Sequence, residues 1–214
     1  VKIFGSGLPG SGSLMTEKTR IYLIRHGEVE GDGTHRYNGH ADVPLSKRGV
    51  AQYHQLKERL ADRRISTCYT SDLSRCVVGA EIIGSHLGLT PVRERNLREL
   101  DIGIWEGKSW AELQSIYPQE WQARLADIVN YRVPQGESLT DLHNRIIPVI
   151  GDIVGQHRGE DLLVVAHGGA NRVILLNAIG APLSALFNID QDYCCLNIID
   201  YYADGRSVVK LLNG

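Results

Sequence analysis

Four short stretches put chemically capable side chains where apolar runs stop. "RHGE" (25–28) follows "IYLI", "SDLSR" (71–75) follows "ISTCYT", "AHGG" (166–169) ends "DLLVVAHGG", and Glu99 stands in "LRELDIGIWEG". Together they offer two imidazoles, two guanidinium groups and a carboxylate. Two guanidinium forks suit a tetrahedral phosphate, because each donates paired hydrogen bonds to its oxygens. An imidazole among cations is biased toward its neutral, nucleophilic form and can attack phosphorus in line. His26 then reads as the nucleophile. Arg25, Arg75 and His167 would balance the charge that develops on the transferred group. Glu99 would protonate the departing alkoxide, then take a proton from the water that hydrolyses the phosphohistidine.

For these groups to meet, the apolar runs must be neighbouring strands. "TRIYLIR" (19–25) is β-rich and apolar, as a strand buried on both faces must be. From Ser46, a plausible N-cap, Val50, Tyr53, Leu56 and Leu60 recur at helical spacing. "ISTCYTSD" reads as a short strand and "LSRCVVGAEIIGSHLG" as a helix closed by Gly88. "PVRERNLREL" is the third strand candidate. "SLTDLHNRIIPVIGDIVGQH" is a long helix that Pro148 should kink, "DLLVVAHGG" a fourth strand, and "ANRVILLNAIG" a helix. The tail from "ALFNID" onward reads as strand, strand, a turn at Asp204-Gly205, and strand. Alternating strands and helices predict an α/β fold with a mostly parallel sheet, whose ligands sit beyond the carboxyl ends of the strands. The stretch 106–137, broken by Pro118 and by Pro134 and Gly136, departs from the alternation and reads as a small helical lid or substrate wall. Trp105, Trp110 and Trp121 fit packing in that lid better than base stacking.

The chain has 214 residues, 43% hydrophobic and 22% charged, with a formal net charge of −2. That is ordinary for one globular core and too neutral to gather nucleic acid or an anionic membrane, so neither is expected as a partner. No apolar run reaches the ~20 residues that span a bilayer. Residues 1–14 read as a vector-derived linker before Met15, the sole methionine, leaving 15–214 as a single domain. Cys68, Cys76, Cys194 and Cys195 lack zinc-site spacing and fit reduced thiols in a cytoplasmic protein. His35, His40, His54, His86, His143 and His157 carry no metal-ligand spacing, so no metal and no cofactor is expected. Arg93, Arg95 and Arg98 alternate with Glu94 and Glu99 as a balanced strand edge. "DYCCLNIIDYY" either lies inside the sheet or forms an edge that pairs with a second subunit, which leaves a homodimer open.

Taken in order, "RHGE", "SDLSR", "LRELDIGIWEG", "GES" and "VAHGG" resemble the motifs of the histidine phosphatase (phosphoglycerate mutase-like) superfamily, over about 19–213. The chain looks most like the small bacterial α-ribazole and broad-specificity phosphatases, which would set it in cobalamin biosynthesis. The resemblance implies a three-layer α/β/α sandwich, metal-independent chemistry through a phosphohistidine, and the roles given above to Arg25, His26, Arg75, Glu99 and His167. It adds Asn38 and Gly39, in "RYNGHADVPL", as phosphoryl or substrate contacts. The substrate-binding set is then Arg25, Asn38, Gly39, Arg75, His167 and Gly168, and the ligand a small phosphomonoester.

Relatives often carry Thr or Ser where Val29 stands, Asn where Asp32 stands and Gln-Thr within "CVVGA". An aspartate beside a phosphate repels it unless turned away. Asn171 and Arg172 of "HGGANR" are not carried over as ligands. Two rivals stand beside hydrolysis: a mutase, which must keep the phosphoryl group from water, and a silent module that only binds a phosphorylated ligand. Mutases resemble longer chains with a larger insertion, so the compact stretch 106–137 favours hydrolysis.

Overall fold

The computed structural model describes residues 17–31 and 36–214. The linker reading of 1–14, Met15, and the substitution at Asp32 lie outside the described residues, as does His35. Six strands form one sheet in the order β3-β2-β4-β1-β5-β6. They are β1 (Lys18–Arg25), β2 (Ile65–Thr70), β3 (Val92–Arg93), β4 (Asp161–Ala166), β5 (Leu196–Tyr202) and β6 (Ser207–Leu211). β1 to β4 run parallel, while β5 is antiparallel to both β1 and β6.

Alternate residues of the central strands face opposite layers, as the two-residue pleat requires. Ile21, Leu23, Leu162, Val164 and Ala166 pack under α5 (Leu139–Gln156) and α6 (Gly168–Ile179). Tyr22, Ile24, Leu163 and Val165 pack under α1 (Lys47–Leu60) and α2 (Ser74–Leu87). Both faces are therefore covered, which is why "IYLI" and "LLVV" carry no polar alternation. This is the three-layer α/β/α sandwich.

Caps define the helix boundaries. Ser46 accepts from the Gly49 N–H to start α1, and Ser138 forms a reciprocal box with Asp141 at the start of α5. Gly88 and Gly180 close α2 and α6 in the left-handed conformation that a side chain disfavours. α5 runs as one helix through Pro148, which is exposed beside the exposed Asn144 whose carbonyl loses its partner.

Two strand expectations are corrected. The third strand shrinks to two residues, because Glu94 accepts from the Asn96 N–H and turns the chain into a 3₁₀ segment at Arg95–Leu97. "ALFNID" belongs to a 3₁₀ segment at Leu183–Asn188 behind Pro182, with Leu186 buried and Phe187 63% exposed. Between Glu106 and Glu137 lie only α3 (Trp110–Ile116) and α4 (Pro118–Ala126), seated on the fully buried Trp105. Trp121 meets the Trp105 ring at 5.8 Å and the Trp110 ring at 6.2 Å.

Candidate active site

Strand register decides who meets whom. Arg25 pairs with Ala166 across β1 and β4, and Thr70 pairs with Val165 across β2 and β4. The residues that follow, His26, His167 and Ser71, therefore leave the sheet side by side. After β1 the chain turns to α1 on one face, and after β4 to α6 on the other, which opens the crevice between them.

His26 is 7% exposed. Its N–H donates to the Ala166 carbonyl at 3.0 Å and its carbonyl accepts from the Cys194 N–H at 3.2 Å, fixing the backbone on both sides. Ring Nδ1 lies 2.8 Å from the Gly27 carbonyl. A carbonyl only accepts, so Nδ1 carries the proton and Nε2 holds the lone pair of the neutral ring. Burial, then the charges of Arg75 and Arg25, hold this imidazole well below its ordinary pKa. Gly27 is required because a Cβ there would come within 2.7 Å of the Gly49 carbonyl oxygen. Glu28 is structural: it accepts from the Ser46 hydroxyl at 2.8 Å, and so ties the turn to the cap of α1.

His167 is fully buried, with its ring centroid 5.2 Å from that of His26. Arg75 Nε donates to its Nδ1 at 3.3 Å, which leaves Nε2–H to donate to the Ser71 hydroxyl at 2.8 Å. Burial and Arg75 keep this second imidazole neutral as well. Arg75 is fully buried too and behaves unlike the open phosphate fork expected of it. Its Nη1 donates to the Ala41 carbonyl at 2.7 Å, and its Nη2 to the carbonyls of Gly39 at 2.7 Å and Asn38 at 3.2 Å. A guanidinium buried to this depth must satisfy its donors, and the nearest acceptors belong to the loop that carries Asn38 and Gly39.

Arg25 is open by contrast. Nη1 donates to the Gln191 carbonyl, the guanidinium stacks 4.0 Å over the Tyr193 ring, and buried Nε has no hydrogen-bond partner. Gly168 makes room for it, since a Cβ would approach Arg25 Nε to 3.2 Å. Glu99 follows the Arg95–Leu97 turn and reaches the start of α6. There it accepts from the N–H groups of Gly169 at 2.8 Å and Ala170 at 3.1 Å. A Cβ on Gly169 would lie 2.4 Å from Glu99 Oε1, so the second glycine of "HGG" is there for the carboxylate. Arg145 of α5 grips Glu137 at 2.7 and 2.8 Å and donates to the carbonyls of Asn96, Arg98 and Glu99, bracing the segment that carries Glu99. His40 donates from Nε2 to the Glu99 carbonyl at 3.0 Å, a role that its loop position did not announce.

A cavity of about 1050 Å³ opens over this centre. Arg25, His26, Asn38, Gly39 and Glu99 line it, together with Val29; Arg75, His167 and Gly168 stand behind that surface. The lid residues Ser109, Trp110 and Arg124 form the wall anticipated from sequence, and the loop at 36–39, expected to contact the substrate, forms a second. A third wall was not anticipated: Leu186, Phe187, Asp190 and Tyr193, from the segment between α6 and β5. Reading that segment as strand hid it. Among the described residues no three His, Cys, Asp or Glu side chains cluster as a metal cage would need, all four cysteines are free and buried, and no helix is long and apolar enough to cross a membrane.

Comparison with known proteins bears on the family and the fold. The probable phosphoglycerate mutase GpmB of Yersinia pestis is 33% identical over 185 residues, 85% of each chain. The α-ribazole phosphatase of Shigella flexneri superposes with a TM-score of 0.84 at 26% identity, covering 91% of this chain and 96% of that one. YhfR of Bacillus stearothermophilus superposes at 0.83 with 28% identity, covering 90% and 96%. The mutase-named relative is of similar length, so chain length does not separate hydrolysis from transfer as expected. Residues 21–214 match the family model for branch 1 of the histidine phosphatase superfamily, and the chain belongs to that superfamily.

Proposed function

We propose that the protein is a metal-independent phosphomonoesterase that works through a phosphohistidine on His26 and acts on a small phosphorylated metabolite. The observation that carries this reading is the tautomer of His26. With Nδ1–H spent on the Gly27 carbonyl, a buried and neutral ring turns its Nε2 lone pair to chemistry.

In the first step Nε2 forms a bond to phosphorus as the ester P–O bond breaks, and Glu99 gives its proton to the departing alkoxide. Water then attacks the phosphohistidine, Glu99 recovers a proton from it, and phosphate leaves as the N–P bond breaks. Arg25, with an uncommitted Nε beside the reacting group, balances charge on the phosphoryl oxygens. Arg75 braces the loop of Asn38 and Gly39, and holds His167 in the tautomer that buttresses the His26 ring. Asn38, Gly39 and the start of α6 at Gly168 complete the phosphate end.

The likeness to an α-ribazole phosphatase supports hydrolysis of a nucleotide-like phosphate. Phosphoryl transfer between positions of a three-carbon acid is the second reading, favoured by the 33% identical mutase-named relatives. The test is hydrolysis of p-nitrophenyl phosphate in EDTA by wild type beside His26→Ala. Phosphate release by wild type alone, with at least about a thousandfold loss in the variant, is the expected result. Equal activity in both would remove His26 from the role, and none in either while both remain folded would overturn the hydrolase reading in favour of phosphoryl transfer or of binding alone.

A further inference from the structure

Guanidinium groups that only hold this fold together are matched to carboxylates. Asp72 takes two hydrogen bonds from Arg98, at 2.6 and 2.7 Å, and Glu137 takes two from Arg145, at 2.8 and 2.7 Å. Pairing of this kind fixes an arginine, but it also cancels the charge and spends the donors. A guanidinium that must receive a phosphoryl group has to be held without being neutralised.

Arg25 is held in that second way. Its guanidinium lies over the Tyr193 ring, with the central carbon 4.0 Å from the ring centroid. An aromatic face attracts a cation through its quadrupole and takes none of the N–H donors. Nη1 meets the Gln191 carbonyl, and the buried Nε has no hydrogen-bond partner, which leaves it for a ligand. The same Tyr193 ring lies 5.6 Å from the His26 ring and lines the cavity. Residues 191–195 are braced to keep it there. Gln191, 3% exposed, exchanges two hydrogen bonds of 2.8 Å with Asn197 of β5, and Asn197 donates to the Leu23 carbonyl of β1 at 3.2 Å. Cys194, next to Tyr193, has a φ of 55°, a left-handed conformation that is uncommon outside glycine. Such outliers persist where the surrounding contacts over-determine them. Here the Cys194 N–H reaches the His26 carbonyl at 3.2 Å, and the Cys195 carbonyl accepts from the Arg25 N–H at 3.4 Å.

We propose that Tyr193 is a positioning residue for the phosphoryl contact: its ring face holds the Arg25 guanidinium in aim while leaving it charged and its Nε open. This rests on the phosphoester reading above, because Arg25 is a phosphoryl contact only if that reading holds. Tyr193 lies outside the motifs that follow the parallel strands, in the third cavity wall.

Calorimetry with orthovanadate, which mimics the phosphoryl group, measures the effect without turnover. Tyr193→Leu should weaken binding about tenfold, and Tyr193→Phe, which keeps the aromatic face, by no more than about twofold. Replacing Tyr193 by phenylalanines that carry successively more ring fluorines keeps the shape and drains the negative face. Each added fluorine should weaken binding further, while the melting temperature stays within a few degrees of the Phe variant.

Wild-type affinity in the Leu variant, or a flat response across the fluorinated series, would overturn the assignment and make Tyr193 a packing residue. So would a Phe variant as weak as the Leu variant, which would credit the phenol oxygen, and a wild type that binds no orthovanadate. Ring-dependent binding in a protein whose wild type fails to hydrolyse p-nitrophenyl phosphate would uphold Tyr193 and bring down the phosphatase reading instead. Hydrolysis with binding indifferent to the ring would do the reverse.

Discussion

At the residue scale, the two histidines are useful because burial keeps them uncharged. His26 and His167 are both held well below 6.5, first by desolvation and then by neighbouring guanidinium charge. In the unfolded chain each takes up a proton as pH falls through about 6.5, while in the folded chain neither does until far lower. The unfolded state thus binds more protons across that window, and stability falls as pH drops below about 6.5. The slope is at most about 1.4 kcal/mol per pH unit for each group. Thermal melts at pH 7.5, 6.5 and 5.5 measure it, and His26→Ala should show a shallower fall. An identical slope in the variant would mean that His26 titrates as an ordinary surface histidine. The carboxylates that Arg98 and Arg145 hold low, Asp72 and Glu137, lose their contribution only near and below about pH 4.5, so the two effects separate.

At the element scale, the start of α6 is where fold and chemistry share atoms. Replacing Gly by Ala inside a helix normally gains about 1 kcal/mol. At Gly169 the new methyl group would collide with the end of the Glu99 side chain, which can move aside at little cost. Gly169→Ala should therefore leave the melting temperature within a few degrees while displacing Glu99. Turnover of alkyl phosphates, whose leaving groups need the proton, should drop at least about tenfold more than turnover of p-nitrophenyl phosphate, whose leaving group does not. Equal slowing of both would take Glu99 out of the acid role.

The opposite balance holds at Arg145, whose pairing with Glu137 is about four-fifths buried on both sides. Arg145→Met strands the Glu137 carboxylate and frees the carbonyls of residues 96, 98 and 99. A loss of about 2–4 kcal/mol in denaturant unfolding is expected, together with reduced activity. A loss below about 1 kcal/mol would make the pair a surface-type contact.

At the scale of the whole molecule, the sheet is a rigid base, while the cavity walls come from three separate excursions: the 36–39 loop, the α3–α4 lid and the Leu186–Tyr193 segment. Trp110, 53% exposed, stands on the wall opposite in sequence to Phe187 and stacks on Tyr37 at 6.2 Å. Filling the cavity should change its surroundings. Orthovanadate should shift the tryptophan fluorescence of the wild type, and Trp110→Phe should lose most of that shift. A full response in the variant would mean that ligands seat without involving the lid.

The local sequence determined much of this by itself. Apolar runs such as "IYLI" and "LLVV" are buried on both faces because nothing polar interrupts them, and Ser46, Ser138, Gly88 and Gly180 mark helix ends through their own hydrogen bonding or left-handed conformation. The motifs after β1, β2 and β4 could be assembled from strand order alone, since a parallel sheet delivers its carboxyl ends to one edge. What only the tertiary structure decided depends on contacts between residues far apart in the chain. Arg75 turned inward because its depth left it no solvent and the carbonyls of 38, 39 and 41 were the acceptors at hand. Gly169 is small for the sake of Glu99, seventy residues away, and the third wall formed where a strand had been expected. The burial of Arg124 is visible only once its neighbours are known, because an arginine on a short amphipathic helix looks like any surface cation until the fold covers it.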